Sequence, residues 1–175
     1  MNKKNFFPIF VNLSDKNILI IGAGKVAFRK ISTLLETGAY ITIFAKQIKE
    51  KEITKLLFDK PNIQLIMKEV DENSLDEIIT NKYILVIAGT DDKELNSAIV
   101  KCCNKKNILV NNITSTDDMS ARFCSVIDEK DYSIGISAKG DPKKSLALKE
   151  KISDFLSNKR WYKWVWILAK IILEK

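Results

Sequence analysis

The stretch Asn17-Ile18-Leu19-Ile20-Ile21-Gly22-Ala23-Gly24-Lys25-Val26-Ala27 passes from a short apolar run, through two glycines, into residues with helical spacing. Asn17–Ile21 reads as a buried strand. Val26, Ile31, Leu34 and Leu35 mark a helix over Lys25–Thr37, with Gly38 as its stop. At the junction, Gly22 permits a tight turn, Gly24 lets the backbone approach a pyrophosphate, and Ala27 keeps helix and strand close. The helix start adds amide donors and a positive dipole end. A glycine-rich turn without a ligand is the bland alternative, and the strand–turn–helix context argues against it.

Outward from that turn the pattern repeats. Tyr40–Phe44 is β-branched and aromatic and predicts a second strand; a Lys-rich helix over Lys49–Lys60 ends at Pro61. Ile63–Met67 reads as strand, Ser74–Ile79 as a short helix, and Tyr83–Ala88 as a central parallel strand covered on both faces. A helix over Asp92–Lys106 carries Leu95, Ile99 and Cys102 on one stripe, and Ile108–Val110 is a further strand. Strands alternating with helices predict an α/β fold with a Rossmann-type, doubly wound parallel sheet. After Asn112 the rhythm changes. Phe123–Ile127 and Tyr132–Ser137 flank Asp128–Asp131 as a hairpin, and Pro142 opens a helix to about Ser157. The expected organisation is a dinucleotide-binding domain over 1–113 and a small α+β region over 114–175.

Composition narrows the chemistry. The net charge of +7, from 29 Lys and Arg against 22 Asp and Glu, favours anionic partners. No aromatic-and-basic recognition motif accompanies that charge, so nucleic acid is not expected. There is no histidine, which removes the usual neutral-pH acid–base group and the commonest metal ligand. Cys102, Cys103 and Cys124 are odd in number and lack C-x-x-C spacing, so neither a disulfide framework nor structural zinc is expected. With no signal-peptide pattern at the start, a reducing cytoplasm is the expected setting. The apolar tail Trp161–Leu173 is too short, and too interrupted by Lys163 and Lys170, for a hydrocarbon core of about 30 Å. Packing against a protein surface or lying on a membrane surface are its two readings.

Several residues stand where ligand chemistry is expected. The second strand ends in Ala45-Lys46-Gln47, without the acid that normally holds the ribose of NAD. Lys46 either meets a 2′-phosphate or is an ordinary solvated lysine. Thr90 and Asp91 follow the central strand and face the cofactor crevice, or simply cap the next helix. Arg122, Lys139, Lys143 and Lys144 lie near the hairpin and the following helix start, a placement suited to carboxylates.

Phe7-Pro8-Ile9-Phe10, the run Ile20-Ile21-Gly22-Ala23-Gly24-Lys25-Val26-Ala27-Phe28-Arg29-Lys30 and the turn Ala88-Gly89-Thr90-Asp91-Asp92 resemble the precorrin-2 dehydrogenase/sirohydrochlorin ferrochelatase family, the N-terminal module of siroheme synthase. The resemblance runs from about Phe7 to Ile152. It implies NAD-dependent oxidation of precorrin-2, an acidic tetrapyrrole, to sirohydrochlorin, followed in some members by Fe²⁺ insertion. It further implies a homodimer built through the second region, and nucleotide contacts at Gly24, Lys25, Val26, Lys46 and Gln47. One departure stands out. Where the family has Asn-x-x-Asp, with the acid as candidate general base, this chain has Asn111-Asn112-Ile113-Thr114. A threonine hydroxyl is no neutral-pH base. Asp117 and Asp118 then either supply the carboxylate or belong to a solvated turn. The rival to a dehydrogenase is a non-catalytic tetrapyrrole- or nucleotide-binding module.

Overall fold

The computed structural model describes residues 6–157. The tail Trp161–Leu173 lies outside the described residues. Five parallel strands form the first sheet: β1 (Asn17–Ile21), β2 (Tyr40–Ala45), β3 (Ile63–Met67), β4 (Tyr83–Ala88) and β5 (Leu109–Asn112), in the order β3-β2-β1-β4-β5. The helices between them are α1 (Lys25–Leu35), α2 (Lys51–Asp59), α3 (Leu75–Ile78, after a 3₁₀ turn at Glu72–Ser74) and α4 (Lys93–Lys105). β1 pairs with both β2 and β4, so the strand order reverses there, and in open parallel sheets ligands bind outside the carboxyl ends at such a reversal.

The core follows from the sequence pattern. Ile18, Leu19 and Ile20 of β1 are wholly buried although neighbours point to opposite faces, as a strand covered on both sides requires. Leu19 and Ile21 join Val86, Ile99 and Val110 in one apolar cluster that includes the α3 and α4 faces. A capping box at Asp71 and Ser74 starts the 3₁₀ turn.

Two sequence expectations are corrected. Asp92, not Thr90 or Asp91, caps α4: its carboxylate accepts from the Glu94 and Leu95 amides. The last strand runs on to Asn112 instead of stopping at Val110, because Leu109–Asn112 continue the ladder with Leu85–Ala88.

The chain divides into two compact units after Arg122, later than the boundary expected after residue 113. The reason is a set of hydrogen bonds along β5. The Ser120 and Ala121 amides both donate to the Val110 carbonyl at 2.9 Å, and Asn111 Nδ2 donates to the Ala121 carbonyl at 3.0 Å. The second unit contains the antiparallel pair β6 (Ser125–Asp128) and β7 (Ser133–Ile136), then α5 (Pro142–Ser157). Buried Ser145 of α5 donates to the Ile136 carbonyl at 2.7 Å, tying helix to hairpin. Asp141 caps α5 by accepting from the Lys144 amide at 3.0 Å, and that bond holds its carboxyl below the usual range.

Gly22 is fixed by this architecture. Its φ is +114°, and a Cβ there would sit 2.1 Å from the Gly89 carbonyl oxygen. Neither party can yield, since both are backbone at adjacent strand ends. Gly22→Ala is therefore expected to destabilise the first unit by more than about 2 kcal/mol, through strain and overpacking together. Urea unfolding of the two proteins measures this directly.

Candidate functional site

The carboxyl ends of β1, β2, β3 and β4 border a cavity of about 340 Å³ lined by Gly22, Ala23, Gly24, Lys46, Gln47, Glu69, Gly89, Thr90 and Asp91, among others. A larger depression of about 620 Å³ follows α3 and α4 with mixed charges such as Asp76, Lys93, Glu94 and Lys101. It contains neither glycine turn, so the smaller cavity at the strand-order reversal has the better chemical case.

The cavity floor is built by backbone. Gly22 N–H donates to the Phe44 carbonyl at 2.8 Å, and Gly89 N–H to the Ile21 carbonyl at 2.8 Å. These bonds bring the ends of β1, β2 and β4 into one plane of turns. Lys49 and Glu50 amides donate to the Ala23 carbonyl at 3.1 and 3.3 Å, which pulls the loop after β2 onto the glycine turn. The Lys49 ammonium then pairs with Asp91 from the turn after β4. Ala27 is fully buried, and a Cβ on Gly89 would lie 3.6 Å from the Ala27 side chain. The close helix–strand approach expected of Ala27 is present.

Gly24 differs in kind from Gly22. It is the N-cap of α1 with an extended backbone, φ −95°, that any residue can adopt. A Cβ there would meet nothing within 4 Å. No side chain caps the helix and no acid occupies its first turn. The protein thus leaves an open, uncapped helix start above the sheet, where free amides and the dipole suit an anion. Lys25 and Val26, the next two residues, are exposed at that helix start. A dinucleotide fits this cradle on donor chemistry and on space.

The turn after β4 is held from below by Asn96, a fully buried amide of α4. Asn96 Oδ1 accepts from the Thr90 amide at 3.2 Å and hydroxyl at 2.8 Å; its Nδ2 donates to the Thr90 carbonyl at 3.0 Å and to Thr114 Oγ1 at 3.2 Å. Thr114 in turn donates its hydroxyl to Asn112 Oδ1 at 2.9 Å, and its amide to the same oxygen at 3.0 Å. This leaves Asn112 Nδ2 buried without a partner. The position at which the family resemblance places a base is thus part of a neutral amide–hydroxyl network. Sequence reasoning missed Asn96 and Asn112. A polar residue on the buried stripe of a helix, and another inside a strand, were the signals available.

The other expected residues fall into distinct settings. Asp118 is half-buried, and its carboxylate accepts from Ser97 Oγ of α4 at 2.8 Å. Asp117 is exposed. Lys46 pairs with Glu69 at 2.8 Å, and Gln47 beside it is exposed. Arg122 stacks on the Phe6 ring, 4.2 Å from its centroid, and donates from Nη2 to the Thr116 carbonyl at 2.7 Å. Its Nε is buried without a hydrogen-bond partner. In the second unit, Lys139 has a left-handed backbone (φ 52°), and Lys143 and Lys144 are exposed in the first turn of α5. Thiols offer no alternative base at Cys102 or Cys103: burial raises both, Cys103 to about 12.

Comparison with known proteins agrees with this geometry. Residues 9–125 match the family described as "Putative NAD(P)-binding". A siroheme synthase of Buchnera aphidicola subsp. Acyrthosiphon pisum is 37% identical over 156 residues, covering 89% of this chain and 32% of that protein. A siroheme synthase of Psychrobacter sp. is 40% identical over 136 residues, covering 78% of this chain and 26% of its own length. The chain therefore spans about a third or less of the relatives it matches. Among solved structures, SirC, precorrin-2 dehydrogenase, superimposes with a TM-score of 0.69 at 22% identity, over 94% of this chain and 78% of that one. That likeness establishes the shared fold, including the small antiparallel pair after the parallel sheet.

Gly24 is the site residue whose freedom the fold itself does not need. Gly24→Val is expected to cost about 1 kcal/mol or less of stability, as an N-cap change, yet to weaken NAD⁺ binding at least about tenfold, or 1.4 kcal/mol. Thermal unfolding and calorimetric titration of the same variant check the two halves.

Proposed function

From the premise that this chain belongs to the family described as putative NAD(P)-binding and is similar to siroheme synthases, we propose that it is an NAD-dependent precorrin-2 dehydrogenase. The observation that carries the reading is Gly24: an uncapped helix start, with open space where a side chain would stand, at the strand-order reversal of the sheet. When bound, NAD⁺ supplies the hydride acceptor; the protein's part is binding, orientation and proton handling.

Gly22, Ala23 and Gly24 present backbone to the pyrophosphate, with Lys25 and Val26 beginning the helix behind it. Lys46, Gln47 and Glu69 border the side of the cavity toward β2 and β3. Thr90 and Asp91 border the side toward β4, with Asn96 fixing the turn that carries them. The macrocycle edge is proposed to meet the cofactor on this second side, near Thr114.

Loss of a proton accompanies loss of hydride, and Thr114 cannot take it at neutral pH. Asp118 is the nearest carboxylate in sequence with a built environment, through Ser97. In this reading Thr114 positions a water or a substrate group, and Asp118 or the substrate's own carboxylates receive the proton. Lys139, Lys143 and Lys144 are proposed to meet substrate carboxylates. Arg122 is proposed to do so through whatever donor capacity its Phe6 and Thr116 contacts leave. The homodimer would form through the second unit, where Leu146 and Phe155 of α5 are exposed. Fe²⁺, in members that insert it, is a second substrate taken by the macrocycle's nitrogens.

Steady formation of sirohydrochlorin and NADH from precorrin-2 and NAD⁺ tests the reading, whereas tight NAD⁺ binding without turnover would favour a non-catalytic module. Thr114→Asp places a carboxylate beside the Asn96 donor. It is expected to raise kcat, toward the roughly 10²–10⁴-fold that a positioned base contributes. If Asp118 already serves, that gain disappears and Asp118→Asn slows the parent instead; Asp117→Asn is expected to change nothing. Sirohydrochlorin affinity is expected to fall several-fold from low to high salt, since exposed cation–carboxylate contacts are screened. A fluorescence titration at two ionic strengths reads this.

A further inference from the structure

We infer that Glu69 reads the adenosine ribose of the bound dinucleotide and selects NAD over NADP, an inference that rests on the cofactor reading above. In dinucleotide folds the acid that accepts from the ribose hydroxyls stands at the end of the second strand, about 20 residues past the glycines. Here that strand end is Ala45-Lys46-Gln47, and no acid occupies it. The neighbouring strand supplies one instead.

The register shows how. β2 and β3 run parallel with Ala45 opposite Met67, and the Lys68 amide donates to the Ala45 carbonyl at 3.1 Å. The ladder thereby continues one step beyond the strands and delivers Glu69 to the same carboxyl-end edge as Lys46. Glu69 Oε1 lies 2.8 Å from Lys46 Nζ, and both line the cavity that holds Gly22 and Gly24. Their side chains remain 65% and 68% exposed, so the pair is open to a ligand and not sealed within the protein.

The consequence for selectivity is electrostatic. An ionised carboxylate offers only acceptors, which suits a ribose diol and opposes a 2′-phosphate. Lys46, the cation that would otherwise receive that phosphate, is occupied by Glu69. Lys68 lines the same edge. Removing the Glu69 carboxylate would thus release Lys46 and leave it with Lys68 on the same edge of the cavity.

The test is calorimetric titration of NAD⁺, NADP⁺ and 2′-deoxy-NAD⁺ against the full chain and the variants Glu69→Gln and Glu69→Lys. The parent is expected to bind NAD⁺ at least about tenfold more tightly than NADP⁺, the size of a hydrogen bond to a charged group. Glu69→Gln should erase most of that ratio, and Glu69→Lys should reverse it, with unchanged thermal midpoints because the residue is exposed. The parent should also disfavour 2′-deoxy-NAD⁺, and Glu69→Gln should not. An NAD⁺ to NADP⁺ ratio that stays constant across the three proteins overturns the assignment while leaving the cofactor reading intact. A parent that binds none of the three nucleotides overturns the cofactor reading, and this inference with it.

Discussion

Two backbone turns meet at the carboxyl ends of β1 and β4, and the candidate site of the first unit is arranged around their contact. Gly22 N–H reaches the Phe44 carbonyl while Gly89 N–H reaches the Ile21 carbonyl. The three central strands therefore end at one level. The approach leaves no volume for a Cβ at Gly22, whose backbone is in any case left-handed. Because the turns pack backbone to backbone, α1 starts directly above the sheet with its first amides free. A side chain at this junction would push the helix start away from the strand ends and separate the donors from the cavity they serve.

Around that junction the polar groups are organised in two different ways. On the side of β4 and β5, buried amides and hydroxyls satisfy one another: Asn96 ties Thr90 to Thr114, and Thr114 ties to Asn112. These bonds are worth more in a desolvated setting than in water, and they fix the two turns relative to each other. The network is neutral and carries one unfilled donor, Asn112 Nδ2, at a cost of about 1–3 kcal/mol for such a group. On the side of β2 and β3 the groups are charged and exposed. Lys46 with Glu69 there, and Lys49 with Asp91 of the turn after β4, contribute little to stability as surface pairs. Both pairs line the cavity, where their proposed effect is on what it admits. Rigid neutral positioning on one side and exchangeable charge on the other suit the two proposed roles, orienting a reacting ring and sorting nucleotides.

The segment 114–122 shows how a loop without regular structure is held in place. Ser120 and Ala121 bond to Val110, Asn111 bonds to Ala121, and Arg122 closes on Thr116 and the Phe6 ring. Asp118 meets Ser97 within the same loop. The positive charge of Arg122 thus has a packing role as well as an electrostatic one, its guanidinium plane covered by an aromatic face.

By itself, the sequence determined the order and type of the elements. Strict apolar runs such as Ile18–Ile21 and Ile84–Ala88 can be buried only on both faces of a parallel sheet, and glycines at 22 and 24 admit few backbone paths. Those are local constraints, legible wherever chemistry and spacing lie within a few residues. Tertiary structure decided everything that joins distant residues. Lys46 and Glu69 are 23 residues apart, and only the β2–β3 register makes them partners. Asn96 and Thr114 meet across 18 residues because α4 packs against the ends of β4 and β5. Asn111 and Asn112 fell outside the strand expected over Ile108–Val110, since strand propensity cannot foresee that β4 will extend the ladder to them. The two glycines also separate only in three dimensions. One faces a carbonyl 2.1 Å from where its side chain would begin, and the other faces open space. The same letter in the sequence thus answers to the fold at one position and, at the other, leaves open space for the proposed ligand.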